Sequence, residues 1–408
     1  MSAARSPRKG TSSPSRNLRT ITLRSFLHGI RMNMVGAVWQ PFVLHLGASM
    51  PLLGLLESIG GFQGIVSTAM LPLGGWLSDR RGRKPFVVLG SVLGFAALAT
   101  FALAGWVKEW KLLLPGAVLL GLTAIARPVI DCLTAESAAS DARGTAFGLT
   151  SMGFAVAGVF APALGGLLAN RFGFVAVLLM GATIELIMAC VMAAALTETL
   201  APEQRTVPRV SELPALLQRV ITPPAELRSF YIAIAIDMFA FGTGAAILFG
   251  LLSKEYGFSP LQLGLMSSAQ CATWAVAQLF VGRQVDKRGC VPFLVLSEAI
   301  SVVVIVGWLV ARSFVHFLAL HGLLGLAMAT WMPAFMTWIA NSVPADQRAE
   351  EVGRLGAFRG LLSFPAPYVG GLLYQVAGFR GPILANLVGA VIVAVLLWRF
   401  VAEPDRQS

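Results

Sequence analysis

The sequence predicts an all-α, polytopic membrane protein with twelve transmembrane helices in two pseudo-symmetric six-helix bundles. Three observations lead there. Of 408 residues, 56% are hydrophobic and only 12% charged, about half the charged share of an ordinary soluble domain. The apolar residues gather in runs long enough to cross a bilayer as helices, which takes about 20 residues. The second half of the chain also repeats the first. So much apolar surface cannot be hidden in one water-soluble core, which excludes a soluble enzyme.

Apolar runs occur at 22–46, 52–77, 86–107, 112–134, 146–169, 174–197, 229–252, 260–282, 291–311, 314–340, 356–377 and 381–401. Backbone groups in lipid must pair within their own segment, which makes each run a helix. Lys and Arg set the orientation. With the N-terminus inside, 23 of the 31 cations fall on the cytoplasmic side, Arg359 among them, and six (Lys108, Lys111, Arg171, Lys254, Arg312, Arg380) on the other. Both termini are therefore expected in the cytoplasm of a multi-pass plasma-membrane protein. Trp76, Trp106, Trp308 and Trp398 lie near run ends, where interfacial anchors belong. Residues 1–21, basic and rich in Ser and Pro, read as a disordered tail. The remaining units are a six-helix bundle at 22–197, a proline-rich polar linker at 198–228, a second bundle at 229–401 and a short tail at 402–408. The formal charge of +11 forms no continuous basic face, so nucleic acid is not an expected partner. Cys132, Cys190, Cys271 and Cys290 lack metal-ligand spacing and read as packing residues.

The internal repeat is the most informative feature. At an offset of 205, Pro128, Ala135, Ser137, Asp141 and Arg143 meet Pro333, Ala340, Ser342, Asp346 and Arg348. The same offset superposes Pro162, Gly165 and Gly166 on Pro367, Gly370 and Gly371, while Gly75, Asp79 and Gly82 match Gly282, Asp286 and Gly289 at 207. Parallel halves related by an axis along the membrane normal form one architecture of secondary transporters.

The segment GGWLSDRRGRKP at 74–85 carries Gly75, Asp79, Gly82, Arg83 and Lys84 between the second and third spans. It resembles the signature loop of the major facilitator superfamily, and the resemblance extends over all twelve spans. It implies a rocking pair of bundles around a central site. It also implies a gate in which Asp79, Arg83 and Glu136, at the end of span 4, relay charge to hold the outward-facing state. In the second half Asp286 is kept, but Cys290 and Asn341 replace the arginine and the acid. Span 5 resembles the superfamily's antiporter motif at Gly148, Pro162, Gly165 and Gly166, with Ala157 and Ala161 in place of two glycines. The arginine that many antiporters carry early in span 4 is absent; Ala117 stands near its position.

Charges inside apolar spans need a reason, since each costs roughly 2.5–3.5 kcal/mol at the bilayer centre on insertion scales. Arg31 lies in span 1, Arg127 and Asp131 one helical turn apart in span 4, and Asp237 in span 7 at the repeat position of Arg31. The resemblance places spans 1, 4, 7 and 10 around the cavity, with the four charges at one level. Asp131 has cations beside it, whereas Asp237 has none in its own span; loss of hydration then opposes its charge and makes it the better proton carrier. Proton coupling is thus expected at Asp237 and Asp131. A substrate cavity is expected from Arg31, Arg127, Asn33, Trp39, Gln40, Trp331 and Trp338. The arginines suit an anionic group; Asp237 among aromatics suits a cationic or lipophilic one. Glu57 and Gln63 can line the outer cavity or cap a helix interface. Glu185 and Glu298 read as packing groups, and His316 and His321 as interfacial histidines.

No phosphate-binding loop, His-Glu-x-x-His pair or nucleophile triad occurs, so no cofactor and no enzymatic activity are expected. The resulting expectation is a monomeric secondary transporter of a small organic solute, most like the superfamily's drug:proton antiporters. The alternatives are a symporter or uniporter of a small anionic metabolite and, in another class, a receptor or scaffold that does not transport.

Overall fold

The computed structural model describes residues 14–138, 143–205, 218, 222–344 and 348–404, and among them it contains helices and no strands. Twelve helical segments follow one another: α1 (Pro14–His45), α2 (Met50–Arg81), α3 (Lys84–Val107), α4 (Trp110–Glu136), α5 (Arg143–Phe172), α6 (Phe174–Ala195), α7 (Ala225–Tyr256), α8 (Pro260–Arg288), α9 (Val291–Val310), α10 (Phe314–Ser342), α11 (Arg348–Ser363, continued by Ala366–Ala377) and α12 (Arg380–Phe400). Among the described residues, nine are long and apolar enough to cross a membrane on their own. The other three are α1, α8 and α11; α11 is broken near Pro365, and its first part carries Arg348, Arg354 and Arg359.

Local chemistry sets the boundaries. Ser259 opens α8 with a capping box, its hydroxyl accepting from Gln262 N at 3.3 Å while the Gln262 side chain accepts from Ser259 N at 2.9 Å, with Pro260 in the first turn. Ser49 caps α2 with its hydroxyl, which accepts from Leu52 N at 3.4 Å, and Pro51 stands in the first turn. Gly82 (φ 106°) and Gly289 (φ 94°) end α2 and α8 in a backbone region that other residues rarely adopt.

The first helix begins eight residues before the apolar run does, at Pro14 rather than 22. Its start is tied down: Asn17 donates to Thr197 O at 3.1 Å and accepts from Thr197 N at 3.0 Å, joining α1 to the chain after α6. Residues 1–13, most of the expected tail, lie outside the described residues, as do 206–217 and 219–221 of the expected linker and 405–408 of the second tail.

Each half packs alike. Helices α1 and α3 lean on α6, and α7 and α9 lean on α12. The halves meet through two equivalent crossings, α5 with α8 and α11 with α2. In the first, a Cβ at Gly264 would stand 2.3 Å from Pro162 O, and Ala163 N donates to Ser268 Oγ at 3.2 Å. In the second, a Cβ at Gly54 would stand 2.2 Å from Pro367 O, and Tyr368 N donates to Ser58 Oγ, also at 3.2 Å. Small residues here let backbones touch, and each serine satisfies an amide beside a helix proline. Gln40 adds a third link, donating to Ala246 O at 2.6 Å and accepting from Gly250 N at 2.7 Å.

These contacts lie toward the face opposite the termini. Along α5 the contact stripe Gly166–Pro162–Gly158 continues to Met152 and Gly148, which are exposed; Met152 is 58% exposed. Along α8 the stripe Gly264–Ser268–Cys271 continues to Gln278, which is exposed, and to Gly282, where nothing lies within 4 Å of an added Cβ. The same two helices that seal the far face have therefore parted toward the termini.

Candidate functional site

The parted face gives access to a group of charges between the halves. Arg127 and Asp131, on one face of α4, are exposed, and their charges act on each other. The Arg127 guanidinium stands 4.4 Å from the centre of the Phe62 ring, a cation–π placement. Across the gap, half-buried Asp237 of α7 lies within electrostatic reach of Arg359 of α11, whose guanidinium also faces the Phe335 ring at 5.9 Å. Arg127 and Arg359 in turn act on each other. Two arginines from opposite halves and two aspartates thus share one region.

Arg359, counted among the cytoplasmic cations, stands only four residues into the apolar run at 356–377. The helix begins at Arg348, which carries Arg359 well inside it. A polar first turn concealed this from a hydropathy reading.

Other expected cavity residues are placed differently. Arg31 turns into its own bundle, 7% exposed, with Nε 2.6 Å from Glu185 Oε1 and Nη2 donating to His28 Nδ1 at 3.1 Å. Glu185, expected as a packing group, is its counterion. Trp338 is 6% exposed, stacked on Phe230 with ring centroids 3.7 Å apart, and its Nε1 donates to Ala402 O at 3.1 Å. Shared helix and level do not place a side chain; helix face does. Trp39 is half-buried against Phe101, 4.3 Å between ring centroids, and Gln40 belongs to the far seal. Asn33 donates to Gly29 O of its own helix at 2.8 Å. Trp331 is half-buried and stacks on Phe335. Trp308, expected at the interface, is buried beside His321.

The signature loop is assembled at the termini face. Arg83 Nη2 lies 2.6 Å from Glu136 Oε1, and Arg83 Nη1 lies 3.4 Å from Asp79 Oδ1. Thr199 Oγ1 donates to the other Glu136 oxygen at 2.6 Å. Asp79, Arg83 and Glu136 all belong to the first bundle, and the relay is closed while that face is open. Its ion pairs alone therefore do not distinguish the two states. Gly75 has nothing near its would-be Cβ. Asp286 lies on α8, and its side chain falls outside the described residues.

One pair of residues escaped the sequence reading. Glu198 accepts from Arg83 N at 2.9 Å and Lys84 N at 3.1 Å, capping the start of α3. Glu403 accepts from Cys290 N at 2.5 Å and Val291 N at 2.9 Å, doing the same for α9. A carboxylate suits the positive end of a helix dipole. The arrangement also explains the recurring Gly82 and Gly289, since a Cβ there would stand 2.6 Å and 2.8 Å from those carboxylates. Thr197-Glu198 and Ala402-Glu403 stand at the same offset of 205 as the other repeats, which was the available signal. Glu198→Ala should cost about 1–2 kcal/mol, the range of a lost helix cap, read as a lower thermal midpoint in detergent; Glu198→Gln should recover part of it.

A duplicated twelve-helix bundle, sealed at one face and parted at the other around charged groups, has the architecture of a membrane transporter. The chain belongs to the Major Facilitator Superfamily, whose family model matches residues 21–250 and again 230–408. It is a transporter and not an enzyme. It is 26% identical to the multidrug resistance protein MdtG of Salmonella paratyphi A over 396 residues, covering 94% of this chain and 95% of that one. Its fold is similar to that of a nucleoside transporter NupG variant (TM-score 0.77, 14% identity, 94% and 100% of the two chains). It is also similar to the human organic anion transporter MFSD10 (TM-score 0.67, 19% identity, 95% and 100%).

Proposed function

We propose that the protein exports small organic compounds across the plasma membrane in exchange for protons, working as a monomer with both termini in the cytoplasm. The observation that carries this reading is Asp237, a half-buried acid on α7 within electrostatic reach of Arg359 and without a close ion pair among the described residues. The full-length similarity to a multidrug resistance protein supports export and a lipophilic substrate. In this state the site opens toward the termini, from which a compound in the cytoplasm or inner leaflet enters. Closing that face and breaking the α5–α8 and α2–α11 crossings delivers it outside, and proton entry at Asp237 returns the carrier.

Arg127 and Arg359 favour a second reading, an anionic metabolite held between guanidinium groups, which suit carboxylate or phosphate. The two separate by substrate: Arg127→Gln should reduce transport of an organic acid and spare a cationic dye if anions are carried.

The test is flux into proteoliposomes under imposed pH gradients of each sign. For exchange, an acid interior drives dye inward as protons leave; an acid exterior does not. Asp237→Asn should abolish gradient-driven accumulation and leave dye-for-dye exchange. Accumulation driven by an acid exterior would replace export by symport, and no flux of any compound under either gradient would leave a protein that keeps the fold without transport.

A further inference from the structure

Two helices of opposite halves are interrupted, and their interruptions meet. Helix α2 is helical over Met50–Gly60 and Ile65–Arg81 and unwound between them, at Gly61-Phe62-Gln63-Gly64. A Cβ at Gly64 would stand 2.4 Å from Ile59 O, so the unwound stretch needs glycine there. Its backbone is satisfied locally: Ser67 Oγ donates to Gly61 O at 2.9 Å, and Gly64 N donates to the same oxygen at 3.0 Å. Helix α11 stops at Ser363 and resumes at Ala366, because Pro365 has no amide hydrogen with which to continue the ladder. Ser363, 1% exposed, donates its hydroxyl to Gln63 Oε1 at 2.5 Å. Gln63 Nε2 lies 2.7 Å from the sulfur of Met238, the residue after Asp237 on α7. A side chain from the break in the first bundle is thus held by two helices of the second.

The other crossing lacks this joint among the described residues. Helices α5 (Arg143–Phe172) and α8 (Pro260–Arg288) run through without a break. Gly158 stands at the repeat position of Ser363, at the offset of 205, and has no hydroxyl to give. Its neighbour across the crossing is the Cys271 sulfur, 3.2 Å from a would-be Cβ. One crossing is jointed and bonded through its joint; the other is stiff.

The joint lies between the gap and the gate. Phe62, on the same unwound stretch, is 53% exposed, and the Arg127 guanidinium in the gap stands 4.4 Å from its ring centre. Past the break, α2 leads to Asp79, which reaches Arg83 of the signature loop. A shift of residues 61–64 therefore acts both on the ring beside Arg127 and on the helix that carries the gate.

We propose that Gln63 is the residue through which a bound solute releases the gate, and that the solute is planar and aromatic with a hydrogen-bonding edge. In the empty state Gln63 holds the breaks of α2 and α11 side by side and keeps the termini face parted. A flat ring stacks on the open part of Phe62, and its polar edge takes the Gln63 amide from Ser363. Residues 65–81 and 348–363 are then free to bend at the two breaks and close the face. A ligand shifts such an equilibrium only by binding one state better than the other. Here the parted state gives up its Gln63–Ser363 bond to the ligand, whereas the closed state has none to lose. This rests on the reading that a solute is carried between the halves, and it does not depend on proton exchange.

Two single-cysteine reporters, each in a background without the native cysteines, read the states in detergent. Ser268→Cys is covered by α5 here, and Met152→Cys is exposed. Closing the termini face should speed maleimide labelling of the first and slow that of the second, whereas unfolding does not slow the second. Without ligand, Gln63→Leu should move both rates in those senses by about two- to tenfold, the range of one lost neutral hydrogen bond. Ser363→Ala should do the same, and the two together no more than either alone. Wild-type rates in both variants overturn the joint; should Gln63→Leu unfold, Ser363→Ala decides it alone. The solute class is read with acridone, which is flat and neutral with an N–H and a carbonyl, against cyclododecanone, a ketone of similar size without an aromatic ring. Acridone should move wild type as Gln63→Leu does and lose that effect in both Phe62→Leu and Gln63→Leu, while cyclododecanone moves neither reporter. If acridone leaves wild type unmoved, or moves Phe62→Leu equally, the proposed solute class is wrong. If no compound crosses the proteoliposome membrane, the carrier reading fails, while the ligand-free rates still decide the joint.

Discussion

Valine at Gly54 or Gly264 should stop transport and hold the protein open on the face away from the termini. Even the first added carbon would stand 2.2 Å from Pro367 O at one crossing and 2.3 Å from Pro162 O at the other. Both neighbours are backbone, so no side chain can swing aside. Overpacking of this kind costs roughly 1–3 kcal/mol or more. A two-state carrier whose conformers differ by a few kcal/mol is displaced about tenfold for each 1.4 kcal/mol. The strain exists only where α2 meets α11 and α5 meets α8, and hence only in the far-sealed state. A Ser268→Cys reporter in a background without the native cysteines reads the outcome. It is covered by α5 here and should react with an impermeant maleimide much faster once Gly54→Val is added. Gly75 and Gly148 supply the contrast, because nothing lies within 4 Å of a Cβ at either. Valine there leaves this state untouched, so a transport defect from those positions must arise in a conformer closed at the termini face. Unchanged labelling together with normal transport in Gly54→Val would remove the crossings from the transport cycle.

How far the molecule was legible from its sequence depends on the kind of information each feature needs. Helix number and the division into halves follow from composition, run length and a repeat offset, and the signature-loop ion pairs from the family resemblance of residues 74–85, all read along one dimension. The crossings were missed for a specific reason: Gly54 and Ser58 correspond to Gly264 and Ser268 at an offset of 210, away from the 205–207 that aligns the other elements. The capping pair Glu198 and Glu403 sat at the right offset but just beyond the apolar runs, where a hydropathy reading stops. Arg31, Arg127 and Asp237 read as cavity groups because the resemblance supplies the cavity helices and depth along a helix can be counted. Which face of the helix turns inward cannot be counted, and it separates Arg31 from the other two. Trp338 went the same way, its indole bound to Ala402 O at the end of the chain. Arg359 was displaced by its polar surroundings on the first turns of α11.

The placement of Arg31 carries the second large effect. Arg31→Met or Glu185→Gln should destabilise the protein by about 3–5 kcal/mol, because each leaves its partner charged and buried without its ion pair. The pair is 2.6 Å apart, with side chains 9% and 3% exposed, inside the junction of α1, α3 and α6. His28 offers Arg31 no countercharge, whereas buried Arg24 acts on Glu185 from farther off, so losing Glu185 should cost more than losing Arg31. Combining Arg31→Met with Glu185→Leu should recover much of the loss, since apolar groups of similar size remove the unpaired charge together with the bridge. Arg127→Gln should behave in the opposite sense. That guanidinium is exposed and rests on Phe62, so its removal should barely change the thermal midpoint while altering which substrates move. Thermal unfolding in detergent and a substrate panel in proteoliposomes, applied to the same variants, place each arginine. If Arg31→Met unfolds with wild type and shifts the substrate panel instead, Arg31 works in the transport site and its pairing with Glu185 is transient. If both variants lose stability and neither shifts the panel, the charges between the halves are a scaffold, and recognition must rest on the aromatic residues around them.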